Sequence, residues 1–146
     1  MNPEELMRKV VAGLERSDLE PLLDALHDDI VWKTASKQEQ VFRFSGDYHT
    51  KLGVLEVLSV VLMDYTVRHM WPREILVAGD VVWGLLDVEA DYDAKGMDPV
   101  GKPEQRKTVE LEMAIRWRLK DGKIIEHQTF FDTASLLIQQ GHPRCD

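Results

Sequence analysis

The side chain best suited to proton transfer in this sequence is His127, which lies within residues 124–132. That stretch mixes polar side chains with apolar ones, more than a purely structural strand needs. A histidine that faces an enclosed apolar space can act as acid or base near neutral pH. The alternative interpretation is a hydrogen-bonded histidine with a structural role.

His69 and Asp132 are further candidates for the same chemistry. His69 is in phase with Val67 and Trp71 on a predicted strand, so it could face the same apolar space as His127. Histidines are also frequent on the exposed face of edge strands. Asp132 stands just before Thr133 and a short predicted helix, where capping by its carboxylate explains it as well as catalysis does.

A long amphipathic hairpin must position His127. Apolar residues at every second position of residues 109–119 predict a strand with one buried face. Asp121 and Gly122 then predict a tight turn, and residues 124–132 form the second arm. The two faces of that second arm are almost equally apolar. Alternation alone therefore leaves open whether the His127 face points inward.

Elsewhere the chain predicts helices first and strands afterwards. Helices are expected at residues 3–14, 19–26, 51–64 and 134–140, and further strands at residues 30–35, 66–78 and 81–90. The third helix has a wide apolar face and is expected to be largely buried. Pro72 favours an edge position or a bulge for its strand, and residues 36–40 and 91–107 predict loops. This order predicts an α+β fold, with one domain over residues 1–146.

Composition excludes several classes of function. The 146 residues are 44% hydrophobic and 30% charged, as in ordinary globular proteins, and the net charge of −8 argues against nucleic acid or an anionic membrane as partner. The five histidines show no paired spacing of a metal site. One cysteine, Cys145, and the lack of a signal-like or membrane-spanning run predict a cytoplasmic protein.

The strand at residues 81–90 is apolar on both faces, which predicts a subunit contact. Trp83 and Leu85 lie on the face opposite the expected core. Charged residues of alternating sign follow on the neighbouring strand, and opposite charges can pair across a two-fold axis: Glu110, Glu112, Arg116 and Arg118. We therefore expect a homodimer formed through the outer face of the sheet.

Three sequence segments resemble the SnoaL-like branch of the nuclear transport factor two-like superfamily, which includes ketosteroid isomerases. They are FSGDYHTKLG at residues 44–53, GDVV at residues 79–82, and residues 121–141 from DGKIIEH to QG. The resemblance covers nearly the whole chain. It implies a cone-shaped curved antiparallel sheet packed against three helices, a cystatin-like or nuclear transport factor two-like roll.

The resemblance also implies a pocket inside the cone, with the His127 face pointing inward. The inward positions would be Trp32, Thr34, Met113, Ile115, Trp117, His127, Thr129 and Phe131. A wall suited to a flat apolar or aromatic ligand would be formed by Trp32, Trp71, Trp117, Phe131 and Met113, although core packing explains each of them equally well. Tyr48 could donate a hydrogen bond to a substrate oxygen, as tyrosines do in several family members, or simply pack at a helix entry.

Two departures from the family disfavour its best-known activities. Ketosteroid isomerases carry an aspartate base where Thr34 falls and a protonated acid where Met113 falls. Limonene epoxide hydrolase carries a carboxylate where Thr129 falls, and its accompanying Arg and Asp have no match among the strand residues Gly84, Leu86 and Val88. Neither mechanism is expected here.

Two functions remain. The first is a cofactor-free lyase, isomerase or cyclase, in which His127 transfers a proton to or from an apolar or aromatic substrate oriented by Tyr48 or Thr129. The second is a non-catalytic ligand-binding or dimeric scaffold protein of the same fold. The fold by itself does not choose between them.

Overall fold

The computed structural model of the protein describes residues 1–36, 42–93 and 107–141. Within these ranges the chain forms the following helices and strands: α1 (Pro3–Glu15), α2 (Glu20–Ala25), β1 (Leu26–Lys33), β2 (Asp47–Tyr48), α3 (Lys51–Asp64), β3 (Tyr65–Ala78), β4 (Val81–Tyr92), β5 (Lys107–Lys120), β6 (Lys123–Phe130) and α4 (Thr133–Gln139). No helix in the described ranges combines the length and apolar content that a membrane crossing needs.

The six strands form one curved open sheet in the order β2-β1-β6-β5-β4-β3. Every neighbouring pair is antiparallel except β1 and β6, which are parallel. The α+β fold predicted from the sequence is therefore confirmed. The turn between β5 and β6 lies at Asp121 and Gly122, whose φ angles of 53° and 74° are those of a tight hairpin turn.

Strand β3 lies at the edge of the sheet and contains two bulges. Its pairing with β4 shifts register between Val67 and His69 and again between Pro72 and Glu74. A bulge adds one residue to one strand, so it bends the strand and reverses which side chains face the core. The edge position and the second bulge confirm what Pro72 predicted.

The first strand begins earlier than the sequence predicts. Strand β1 starts at Leu26, whereas Asp28 and Asp29 were expected to end a helix and delay the strand to Ile30. Its pairing with β6 is irregular between Leu26 and Val31, and the two exposed aspartates lie in that irregular part. The two aspartates therefore lie where the pairing of β1 with β6 is interrupted, but they do not end the strand.

Side-chain caps fix where three of the helices begin. Asn2 Oδ1 accepts a hydrogen bond from the Glu5 amide at 2.8 Å, and Thr50 Oγ1 accepts one from the Gly53 amide at 2.9 Å. These bonds satisfy amides that have no partner inside the helix. Helix α3 has the predicted bounds, and the predicted start of α1 at residue 3 is also confirmed.

Helix α3 is less buried than its apolar composition predicts. Only Val54, Val57 and Asp64 are buried, while Leu52 is 63% exposed and Met63 56%. The prediction of a largely buried helix is therefore wrong. Apolar residues lie on every side of this helix, and it packs on the cone through one side only.

The concave side of the sheet and the helices enclose the main core. Its largest fully buried side chains include Trp117 of β5, Met7 of α1 and Leu86 of β4. On β4 the face predicted to be inward is buried, whereas Trp83 on the opposite face is 40% exposed. Alternation along β4 therefore separates a core face from an outer face, as predicted.

Candidate functional site

A cavity of about 170 Å³ lies inside the cone, between helix α3 and the concave face of the sheet. Its lining is almost wholly apolar. The residues around it are Leu14, Leu19, Trp32, Thr34, Ala35, Phe44, Val57, Leu58, Val61, Leu62, Tyr65, Val67, Met70, Val88, Ala90, Val109, Leu111, Met113, Ile115, His127, Thr129, Phe131 and Leu136. None of these described lining residues carries a carboxylate, an ammonium or a thiol.

Strand register brings His127 between two tryptophans. His127 of β6 pairs with Trp32 of β1 on one side and with Trp117 of β5 on the other. The rings of Trp32 and His127 stack, with centroids 3.5 Å apart and planes within 4° of each other. His127 is only 4% exposed. Neighbouring side chains therefore contact both a face and the edge of its ring.

Both nitrogens of His127 are hydrogen-bonded. Trp117 Nε1 donates to His127 Nδ1 at 3.0 Å, and His127 Nε2 lies 2.6 Å from Thr129 Oγ1. An indole N–H can only donate, so Nδ1 accepts and carries no proton. In neutral imidazole the proton then sits on Nε2, which donates to Thr129.

Burial lowers the pKa of His127 from its ordinary value of 6.5 to about 3, because a charged imidazolium would lose its hydration inside the core. The ring is therefore neutral at pH 7 and a weak base. The arrangement is suited to hydrogen bonding more than to the proton transfer that the sequence suggested for His127.

The hydroxyl of Thr34 is occupied by the backbone. Thr34 Oγ1 lies 2.8 Å from the Ser36 carbonyl and 3.0 Å from the Gly46 carbonyl, and it accepts from the Gly46 amide at 2.9 Å. Thr34 lines the cavity as predicted for its strand face, but its hydroxyl holds the turn before β2. Thr129 is therefore the threonine whose hydroxyl can serve a ligand.

Tyr48 and Asp132 lie outside the cavity lining. The Tyr48 hydroxyl donates to the Ser45 carbonyl at 2.9 Å, so it braces the loop that precedes β2. Asp132 caps α4 by accepting from the Ser135 amide at 3.0 Å. The cap at Asp132 is the alternative that the sequence offered beside catalysis, and the hydrogen bond of Tyr48 favours the packing role over donation to a substrate.

His69 and Trp71 also lie outside the cavity, which corrects the phase predicted for β3. The bulge between Val67 and His69 adds one residue, so Val67 and Met70 line the cavity while His69 and Trp71 face outward. The His69 side chain is 51% exposed with Nδ1 3.5 Å from Glu15 Oε2, and Trp71 is 56% exposed. Strict alternation could not reveal this shift.

Trp117 is buried outside the cavity lining and is hydrogen-bonded to His127 in the cavity wall. It is 1% exposed and packs in the main core, outside the lining. Met113, Phe131 and Trp32 are in the lining, where the resemblance placed them. The resemblance therefore predicted most of the sheet wall but also placed Trp117 in that wall, whereas the structure places Trp117 outside the lining.

Sequence reasoning missed the helical wall of the cavity. Helix α3 supplies four lining residues, and their spacing of one helical turn was the available signal: Val57, Leu58, Val61 and Leu62. Tyr65, which follows this helix, also lines the cavity, and its hydroxyl donates to Gln140 Oε1. The described residues contain no group of three or more His, Cys, Asp or Glu side chains that could hold a metal ion.

Solved structures with the same fold span nearly the whole chain. A nuclear transport factor two-like protein of unknown function from Burkholderia pseudomallei superposes with a TM-score of 0.76 and 19% identity, over 94% of this chain and 96% of that one. IdmH from Streptomyces antibioticus, a proposed polyketide cyclase, gives 0.73 and 21%, over 97% and 99%. TerC, co-crystallised with polyporic acid, gives 0.69 and 23%, over 93% and 95%.

Identities this low establish the fold and no activity. A comparison with curated proteins finds no match. The model of the SnoaL-like domain, however, matches residues 7–127, which include β1, α3, β4, β5 and most of β6. With the cone fold and its apolar cavity, this match shows that the chain belongs to the SnoaL-like domain family.

Proposed function

We propose that this protein binds a small apolar or aromatic molecule in the cone and that Thr129 donates a hydrogen bond to an oxygen of that molecule. The observation that carries the proposal is an apolar cavity with one oriented polar group in its wall. Ligand sites typically combine an apolar lining with a few placed hydrogen-bonding groups. The cytoplasmic location and the absence of a cofactor, both predicted from the sequence, are part of this proposal.

The size of the cavity supports a ligand of one ring. Its volume of about 170 Å³ is close to the roughly 150 Å³ of an engineered apolar cavity that binds benzene. Drug-sized ligands occupy sites of about 300 Å³ or more. TerC, which shares the fold, was crystallised with polyporic acid. That finding agrees with small-molecule binding in the fold and does not identify this ligand.

Catalysis on the bound molecule is the second candidate, of the cofactor-free lyase, isomerase or cyclase type. It is favoured by the hydrogen bonds that run through His127 to Thr129, because a fixed donor stabilises negative charge that develops on a substrate oxygen. His127 would act as a neutral hydrogen-bond donor in such a reaction. Deuterium exchange of the α-hydrogens of a bound ketone separates the two candidates, since simple binding would not accelerate exchange above its rate in buffer.

Filling the cavity is expected to weaken binding. Ala90 is 4% exposed and lines the cavity, so Ala90→Leu places three more carbon atoms in that space. We expect the affinity for acetophenone, measured by calorimetry, to fall by about tenfold or more, because the ligand and the leucine side chain would overpack the same space at a cost of about 1–3 kcal/mol.

Ala114→Leu is the matched control for this experiment. Ala114 lies on β5 opposite Leu85 of β4, on the outer face of the sheet, and is absent from the cavity lining. Its variant should bind acetophenone as the unmodified protein does. Equal binding by the Ala90→Leu variant, with thermal unfolding showing it folded, would place the ligand outside the cone.

We also propose a homodimer through the outer face of the sheet. Three apolar side chains form an outer patch there: Leu76, Trp83 and Phe130, which are 60%, 40% and 41% exposed. Leu76 pairs with Trp83 across β3 and β4, and the rings of Trp83 and Phe130 stack at 6.0 Å. Exposed apolar clusters of this kind are typical of protein contacts.

Charged residues beside the outer patch pair within the chain. Arg116 and Arg118 contact Glu126 at 3.1 Å and 3.2 Å. Both lower the pKa of the Glu126 carboxyl, and Arg116 has the larger effect. Arg73 contacts Glu112 at 2.9 Å. The dimer proposal therefore rests on the apolar patch and no longer on charges that pair across a two-fold axis.

Sedimentation tests the dimer. We expect a dimer at micromolar concentration and a monomer after Trp83→Arg, because a charged side chain would be desolvated at the centre of the contact. Leu52→Arg on α3 is the control, since Leu52 is also an exposed apolar residue but lies on a helix. A monomer in the unmodified protein, or a dimer that Leu52→Arg disrupts instead, would contradict the proposed surface.

A further inference from the structure

We propose that Trp117 is a positioning residue that fixes the direction of the hydrogen bonds at His127 and Thr129, and that this direction makes the cavity selective for a carbonyl compound. The ligand class is a small cyclic or aromatic ketone whose oxygen accepts from Thr129. The inference deepens the proposed function, because it requires a ligand in the cone. It adds which hydrogen-bonding group that ligand must carry and which buried side chain imposes the requirement.

The indole N–H of Trp117 sets the direction of the hydrogen bonds at His127. This nitrogen can only donate, and it lies 3.0 Å from His127 Nδ1 in a pair of residues that face each other across β5 and β6. If Nδ1 carried the proton, two N–H groups would point at each other inside the core. Trp117 therefore selects the tautomer with its proton on Nε2.

The ring of His127 has no second orientation that keeps these bonds. Turning it by 180° about its attachment would put carbon atoms where Nδ1 and Nε2 now lie, and both hydrogen bonds would be lost. Trp32 covers one face of the ring at 3.5 Å and holds its plane. The proton on Nε2 therefore stays directed at Thr129 Oγ1, 2.6 Å away.

The hydroxyl of Thr129 continues this directed series of hydrogen bonds into the cavity. Its oxygen accepts from His127, so its own hydroxyl proton remains to be donated, and among the described residues the Thr129 hydroxyl makes no other hydrogen bond. The other two lining hydroxyls are committed, that of Thr34 to backbone groups and that of Tyr65 to Gln140. A ligand acceptor oxygen would complete the series, whereas a hydrocarbon would leave a buried donor without a partner.

Nitrogen NMR of the ligand-free protein tests the role of Trp117 separately from ligand binding. Long-range ¹H–¹⁵N spectra distinguish a protonated from an unprotonated imidazole nitrogen. We expect His127 to be protonated at Nε2 alone, and Trp117→Phe to give a mixture of tautomers because the donor to Nδ1 is removed. Trp83→Phe, at an exposed tryptophan, should leave the His127 signals unchanged. A proton on Nδ1 in the unmodified protein would overturn the role of Trp117 even if Trp117→Phe fails to fold.

A matched pair of probes tests the ligand class. Acetophenone and α-methylstyrene have nearly the same shape, but only acetophenone has an acceptor oxygen. We expect acetophenone to bind about threefold to tenfold more tightly, the usual net value of one hydrogen bond. Thr129→Val should remove the preference, and Thr129→Ser should retain it. Trp117→Phe should weaken it, since the Thr129 hydroxyl could then donate to an unprotonated Nε2.

The outcomes separate this inference from the proposed function. Equal binding of the two probes by the unmodified protein would overturn selectivity for a carbonyl group and leave small-molecule binding in the cone intact. Binding of neither probe would overturn both the ligand class and the proposed binding of single-ring molecules. The NMR measurement decides the tautomer in either case.

Discussion

Acidification from pH 7 to pH 4 is expected to lower the free energy of unfolding by about 3 kcal/mol through His127 alone. Burial lowers the pKa of this imidazole from 6.5 to about 3 in the folded protein. Below pH 6.5 the unfolded chain therefore binds a proton that the folded protein does not. The contribution of neutral His127 to the free energy of unfolding is therefore present above pH 6.5 and is lost as the pH falls towards 3.

Urea unfolding at a series of pH values measures this effect, and His127→Gln is the control. Glutamine does not titrate, and its amide can both accept a hydrogen bond and donate one. Arginine neighbours lower the pKa of the Asp87 and Glu126 carboxyls, which acts in the same direction but at lower pH than the onset of the His127 effect. The difference between the two proteins between pH 6.5 and pH 5 therefore isolates His127.

A flat difference in that interval would mean that His127 is protonated in the folded protein or reaches solvent. Either result would also contradict the tautomer on which the proposed ligand contact depends. The expected result instead implies that acid destabilises the protein as a whole, because a proton on Nδ1 would oppose the indole N–H of Trp117 inside the core. We therefore expect ligand binding and folding to be lost over the same range of acid pH.

The contact between Met7 and Gly84 is expected to give the second large effect. Met7 of α1 is fully buried, and a Cβ added at Gly84 of β4 would lie 2.5 Å from its sulfur. Met7→Ala should cost about 2–5 kcal/mol by leaving a cavity, and Gly84→Ala about 1–3 kcal/mol by overpacking. Chemical denaturation measures both values.

The double variant tests whether these two effects have one cause. In Met7→Ala with Gly84→Ala, the new methyl group occupies space that the methionine vacated. The combined loss should therefore be smaller than the sum of the single losses by about 1 kcal/mol or more. Additive losses would mean that α1 does not close on β4 at this contact.

This contact also explains a residue that pattern reading leaves unexplained. Glycine inside a strand is unfavourable, since it gives up conformational freedom without burying a side chain. Gly84 allows α1 to lie directly on the sheet, which places Met7 in the core. A glycine in a strand indicates a close approach of this kind, but the sequence does not say which helix approaches.

Local sequence patterns were sufficient to predict the order of the elements and the class of fold. Alternation along β4 and β5, the Asp121–Gly122 turn and the helical periodicity of residues 51–64 are local signals, because each depends on neighbours a few positions away. The family resemblance added the inward face of β6 and most of the sheet wall of the cavity. It identified Thr129 as a position where relatives carry chemistry.

Which of the candidate side chains contact one another depends on how the strands and helices pack in three dimensions. A bulge of one residue in β3 turned His69 and Trp71 outward, and bulges depend on how two strands fit together. The hydrogen bonds from Trp117 through His127 to Thr129 join β5 to β6, and the neutral charge of the histidine follows from complete burial by several elements at once. Partners distant in sequence set these properties, so no local pattern contains them.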